Sequence, residues 1–265
     1  MKDSLFIEKI TYNCNKKIDL IEKSIARYAL RSIFAGAALA MTTLAGVVAA
    51  DYLNTIHPNL GKFMYAFLFS WGLIYILFLN AELATSNMMY LTAGTYLRKI
   101  KFSKAVKILL VCTFFNLVGA AAIGILVSNT SVLHSLKDTS MLVKIVECKL
   151  AHSSSEIMSG GILANVFVNI AIIAFMLVKD ENAKVGIILS AIFMFVYLGL
   201  DHVIANFGSF SLVGFSQYGK NVIGLNIVNV IRQWTFAFLG NLVGGGLILG
   251  FGYAWLNNKE IVYKD

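Results

Sequence analysis

Read for stretches free of Lys and Arg, the chain falls into six apolar runs. They are Ile33–Ala50, Phe63–Leu97, Ile108–Ser128, Ile157–Val178, Val185–Gly219 and Gln233–Leu256. Four have the length of one membrane crossing, about 20 residues. The second and fifth each extend over 35 residues. A straight helix of that length would measure about 52 Å against a hydrocarbon core of about 30 Å, and two full crossings need about 40 residues plus a turn. Each long run is therefore expected to cross once as a broken helix, with the surplus backbone folded into the protein. The pattern predicts an all-α integral membrane protein with six transmembrane spans and interrupted helices in spans 2 and 5.

Composition agrees. Hydrophobic residues make up 58% of the chain and charged residues 14%, with one proline, Pro58. A soluble domain carries about 25% charged residues. Three cysteines (Cys14, Cys112, Cys148) are too few for a disulfide scaffold and read as small apolar fillers. Residues 1–31 lack the short hydrophobic core of a secretory signal. Of 22 Lys/Arg, 16 fall before span 1, between spans 2 and 3, between spans 4 and 5, or after span 6. The positive-inside rule then puts both termini in the cytoplasm. The net charge of +8 mostly reflects this bias. The basic residues are scattered through loops, so a nucleic-acid partner is not expected. Within Ile18–Arg31, Ile18, Ile21, Ile25, Tyr28 and Ala29 follow helical spacing, with Glu22, Lys23 and Arg27 between them. This reads as a helix on the cytoplasmic interface, an anchor or a movable lid. The expected organisation is an N-terminal interfacial segment 1–32, a channel domain 33–256 and a cytoplasmic tail 257–265.

Each long run has one acidic residue near its centre: Glu82, in Asn80-Ala81-Glu82-Leu83-Ala84-Thr85-Ser86-Asn87, and Asp201, in Gly199-Leu200-Asp201-His202-Val203-Ile204-Ala205-Asn206. Breaks in corresponding spans of two halves point to an inverted repeat with a midplane site. Non-helical backbone at that depth is tolerated only inside protein or along a wet cavity. Half-helix N-termini there would turn positive partial charge inward and favour anions. Glu82 and Asp201 are expected to hold the breaks in shape. His202 is an intramembrane ionisable group and hence a candidate pore residue able to exchange a proton. Thr85 offers a hydroxyl from the other break. Asn165 and Asn169 share one face of span 4, suited either to a pore or to interhelical bonds. Lys149 precedes a capping box, Ser153 to Glu156, and could draw anions into a vestibule. Small residues on spans 1 and 6 suit a tight bundle and an oligomer.

Asn80–Ser86, Lys149, the Gly161–Asn169 stretch (GILANxxVN) and Asp201–Asn206 (DHxIAN) together resemble the formate/nitrite transporter family of bacterial anion channels. The resemblance covers essentially the whole chain. It implies an aquaporin-like protomer with its own pore, a symmetric pentamer, and passage of formate, nitrite or hydrosulfide through a bacterial inner membrane. It implies Thr85 and His202 as the central pair, Asn165 as the nearby span-4 asparagine and Lys149 as the vestibule lysine. Phe69 and Phe195 would form the extracytoplasmic constriction, and Leu73, Leu83 and Val168 would form, or lie beside, the cytoplasmic one. Glu82, Asp201 and Asn206 would serve at the breaks. Ala84 stands where formate members carry a bulky aromatic, and Asp201 where glutamate is usual, a pattern more like the hydrosulfide-channel branch. Transient protonation by His202 would let the permeant cross as a neutral acid. The rival reading is an aquaporin-like pore for neutral solutes, although paired Asn-Pro-Ala boxes are absent. Neither an H-E-x-x-H motif nor a G-x-S-x-G elbow occurs. The expectation is a channel rather than an enzyme, with no cofactor and no metal.

Overall fold

The computed structural model describes residues 4–258, and these residues form helices and turns only. The helices are α1 (Leu5–Lys23), α2 (Ile25–Asn54), α3 (Leu60–Phe78), α4 (Ala84–Tyr96), α5 (Phe102–Ser128), α6 (Met141–Ala151), α7 (Ser154–Leu177), α8 (Glu181–Tyr197), α9 (Val203–Gly214), α10 (Ile227–Asn241) and α11 (Gly252–Leu256). A π-helical stretch, Leu242–Phe251, joins α10 to α11. Among the described residues, five helical stretches are long and apolar enough to cross a membrane: α2, α3, α5, α7 and the continuous Ile227–Leu256. Apolar side chains such as Phe34, Phe67, Leu110, Leu163, Met194 and Leu247 face outward on five helices and the π-helical stretch. In water this would be untenable; in lipid it is the expected surface.

The interfacial helix expected over Ile18–Arg31 does not exist as one element. Ser24 is extended (φ −164°, ψ 95°) and divides it. Its N–H donates to the Leu20 carbonyl, and its hydroxyl accepts the Arg27 N–H. One serine thus ends α1 and caps α2, which starts eight residues before the apolar run it contains. Span ends defined by Lys or Arg fall short elsewhere too. Lys62, Lys184 and Arg232 lie inside helices, because long basic side chains can sit near helix ends and reach a polar surface. The short helix α6 lies in what reads from sequence as a loop. The tail segment expected from residue 257 lies outside the described residues beyond 258.

The two long runs are broken. Residues 79–83 separate α3 from α4, and residues 198–202 separate α8 from α9. Asn80 (φ 53°) and Gly199 (φ 74°) take left-handed conformations at the turns out of α3 and α8. Exchanging the halves preserves the packing. α2 packs on α3 and α5 as α7 packs on α8 and α10. α4 packs on the π-helical stretch as α9 packs on α5. The close crossings match as well. A Cβ on Gly36 or Gly119 would overlap the Asn116 or Ile33 carbonyl, and one on Gly240 or Gly244 would overlap the Met158 or Ile162 carbonyl.

Candidate pore and its two helix breaks

Each break is held by the same set of side chains. In the first, the Asn116 amide on α5 donates to the Glu82 carbonyl (2.9 Å) and the Ser32 carbonyl (2.7 Å), and its oxygen accepts the Ala84 N–H (2.9 Å). In the second, the Asn241 amide donates to the Asp201 carbonyl (2.8 Å) and the Gly161 carbonyl (2.8 Å), and its oxygen accepts the Val203 N–H (2.8 Å). Both asparagines therefore bind the carbonyl of the acidic residue and the amide two positions on. They satisfy backbone groups that the breaks leave without helical partners.

The carboxylates are paired. Glu82 accepts from Lys17 (2.6 Å) and from Asn87 (3.1 Å), five residues on. Asp201 accepts from Lys149 (2.9 Å), from Asn206 (3.2 Å), again five residues on, and from Gln233 (2.8 Å). Lys149 also donates to the Leu200 carbonyl (3.1 Å). Its charge is therefore largely committed to Asp201 and is not a free vestibule cation. The Ser153–Glu156 capping box ahead of α7 is formed in both directions.

Thr85 and His202 meet across the breaks. Their Oγ1 and Nε2 atoms lie 2.7 Å apart, and both residues are buried. His202 is also the N-cap of α9, and its Nδ1 accepts the Ala205 N–H (3.1 Å). Nδ1 is thus an acceptor, and the ring proton sits on Nε2, which donates to Thr85. Among the described residues the Thr85 hydroxyl proton has no other partner. Asn165 makes no bond to either side chain of this pair and meets Thr85 only at its backbone. Its amide donates to the Thr85 carbonyl (3.2 Å) and the Asn241 carbonyl (2.7 Å), and Asn169 donates to the same Thr85 carbonyl (3.3 Å). Both asparagines fasten the start of α4 to α7.

Three cavities are linked through shared side chains. A vestibule of about 330 Å³ has Lys62, Lys144, Lys149 and His152 on its wall and narrows at Phe69 and Phe195. Those two rings lie 6.0 Å apart, edge to face. They also line a cavity of about 10 Å³ with Leu39, Leu73, Leu83, Val168, Ile192 and His202. That is about the space of a single water. Leu83 continues into a cavity of about 60 Å³ on the α1 side, lined by Lys16, Lys17, Asn80, Glu82 and Ser86. All five expected constriction residues line the middle cavity. Leu39 and Ile192 complete it and were not anticipated.

Other contributors also escape the sequence reading. Lys17 belongs to a basic amphipathic stretch and looks like surface charge. Asn116 and Asn241 carried one signal: a lone asparagine at equivalent depth in the third and sixth apolar runs. The cysteine expectation fits Cys14 and Cys112, which are buried, and fails at Cys148, which is exposed on the vestibule wall. Burial pushes the Cys14 thiol up to about 11.

The sequence matches the formate/nitrite transporter family over residues 4–255. It is 26% identical over 254 residues to the uncharacterized transporter YwcJ of Bacillus subtilis, covering 96% of this chain and 98% of that one. It is 28% identical over 192 residues to the formate channel BtFdhC of Bacillus thuringiensis, covering 72% of each. In fold it is similar to an FNT family ion channel (TM-score 0.85, 23% identity, 94% of this chain and 97% of that one). It is likewise similar to a pentameric formate channel with formate bound (TM-score 0.75, 24% identity, 89% and 98%). With a match over nearly its whole length and a helical architecture to go with it, this multi-pass membrane protein belongs to the formate/nitrite transporter family.

Proposed function

We propose that the chain is a membrane channel for small monovalent anions of weak acids, hydrosulfide, formate or nitrite, with one pore in each protomer. The observation that carries this is the buried Thr85–His202 hydrogen bond beside an apolar constriction that separates the vestibule with its lysines from the α1-side cavity. Six spans follow if α3 with α4, and α8 with α9, each make one interrupted crossing, related as an inverted repeat. With both termini in the cytoplasm of a bacterial cell, the α1-side cavity faces inward and the lysine-lined vestibule outward. Membership of the family and the pentameric relative favour five chains per assembly.

An anion would gather in the vestibule beside Lys62 and Lys144. It would lose water at Phe69 and Phe195, where bare charge is costly. His202 Nε2–H and the Thr85 hydroxyl would then replace that water. The Ala205 amide on Nδ1 supports a neutral ring acting as a fixed hydrogen-bond donor. Giving up the Nε2 proton would leave an imidazolate. Proton donation by His202 therefore requires Nδ1 to release Ala205 and take a proton first.

The test is uptake into proteoliposomes of hydrosulfide, formate, nitrite, chloride and glycerol at two pH values, for wild type, Lys144→Glu and His202→Asn. Anion flux that falls in both variants, with glycerol excluded, is expected. Glycerol flux indifferent to Lys144→Glu would replace this reading with a neutral-solute pore.

A further inference from the structure

The vestibule contains a nucleophile that the transport reading does not use. Cys148 is exposed on α6, with its sulfur 3.6 Å from His152 Nε2. The other ring nitrogen of His152 is enclosed, without a hydrogen-bond partner, and lies 3.8 Å from Asp201 Oδ2. A thiol, an imidazole and a carboxylate are thus arrayed in line. A base next to a thiol makes thiolate, and a carboxylate behind the base steadies the imidazolium that forms. Lys144, one helical turn before Cys148 on the same face, has no acidic partner among the described residues and lines the same cavity, as does Lys62. The surroundings are cationic, and the cavity of about 330 Å³ has room for an adduct of a few heavy atoms.

We propose that Cys148 is a modification site for small anionic disulfides, and that the resulting mixed disulfide obstructs the vestibule. His152 takes the thiol proton. The thiolate attacks one sulfur of the disulfide, a bond forms between it and Cys148, and the original S–S bond breaks. The departing thiolate carries the electron pair and receives the proton from His152. The disulfide is the oxidant, and its released half is the reduced product. The adduct sets negative charge in front of Phe69 and Phe195, where the proposed permeant carries negative charge too. This second half rests on the transport reading; the thiol chemistry does not.

The experiment compares 3,3′-dithiodipropionate with cystamine, disulfides of similar size and opposite charge, on the purified full chain. Mass spectrometry is expected to show one adduct per chain, mapped to Cys148 and removed by dithiothreitol. The anionic reagent should react about tenfold faster than the cationic one, since a cationic wall concentrates anions. Lys144→Gln should narrow that ratio, His152→Gln should slow both reagents, and Cys148→Ser should take no label while keeping its flux. Equal rates for the two reagents, or rates indifferent to His152→Gln, would overturn the activated thiol. Anion flux in liposomes is expected to fall about tenfold on full labelling and to recover with dithiothreitol. Undiminished flux in fully labelled wild type would overturn the obstruction. Absence of flux in unlabelled protein would instead remove the transport reading, and with it the obstruction, while the rate comparison still decides the thiol.

Discussion

At the scale of single residues, the proposed pore depends on which groups keep a partner when water is stripped away. His202 Nε2–H depends on the Thr85 hydroxyl, 2.7 Å distant in a buried setting. Thr85→Val keeps the shape and removes the acceptor, leaving a buried donor unpaired, which costs about 1–3 kcal/mol. The protein should lose that much stability in detergent and melt lower, and anion flux should fall about tenfold or more as the site loses its hydroxyl. Thr85→Ser should keep most of the flux. Equal flux in the valine and serine variants would remove the hydroxyl from the mechanism. The asparagine clamps are more demanding, because each makes three bonds to backbone. Asn116→Leu and Asn241→Leu should each cost about 3 kcal/mol or more, since a carbonyl and an amide at membrane depth lose their partners together. Matching losses of thermal stability in the two variants would bear on the equivalence of the breaks as well. The acids at the breaks were legible from sequence, because run length and a lone carboxylate coincide at Glu82 and Asp201. Their clamps were not. A lone asparagine in an apolar run is compatible with a pore, a helix contact or a break, and only the fold brings residue 116 to 82 and residue 241 to 201.

Among the elements, α1 docks through an apolar face, Phe6, Ile7, Ile10 and Cys14, and through one buried charge. That charge is Lys17, which meets Glu82 of the first break in a buried pair at 2.6 Å, with Lys16 donating to Asn80 (3.0 Å) beside it. Removing one partner of a buried pair leaves a bare charge and costs about 3–5 kcal/mol. Lys17→Met should therefore loosen α1, and Lys17→Met combined with Glu82→Gln should restore much of its docking. Cys14 reports on this directly. Its sulfur is 3.5 Å from the Tyr90 carbonyl, in a site where burial pushes the thiol up to about 11. At pH 8 the docked thiol is almost wholly protonated and inert to maleimide. Release to solvent lowers its pKa toward the ordinary value, so labelling should accelerate about a hundredfold. Unchanged Cys14 labelling in Lys17→Met would show that the ion pair does not hold α1. The helices themselves were readable where apolar periodicity was long. α1 and α2 were merged across Ser24, because a serine that terminates one helix and starts the next leaves the periodicity of both nearly in phase. α6 passed as loop because its apolar face is only Leu142, Val143, Val146 and Leu150, less than three turns.

For the whole molecule, the question is whether function resides in the protomer or in the assembly. Vestibule, constriction and α1-side cavity follow one another through the inside of one bundle, joined first by Phe69 and Phe195 and then by Leu83. The outward apolar side chains supply surface for lipid or for other copies, away from the path. An assembly of five such chains should therefore carry five independent pores. Co-expression of wild type with a variant that folds but does not conduct, such as His202→Asn should be, tests this. If each protomer conducts alone, flux per assembled oligomer should fall in proportion to the fraction of variant chains. If the pore lay on a shared axis, one variant chain would impair the whole, and flux would collapse while most chains were still wild type. The proportional result is expected. It follows from the same packing that fixes the site: two breaks facing each other inside one bundle, each closed by an asparagine from its own half.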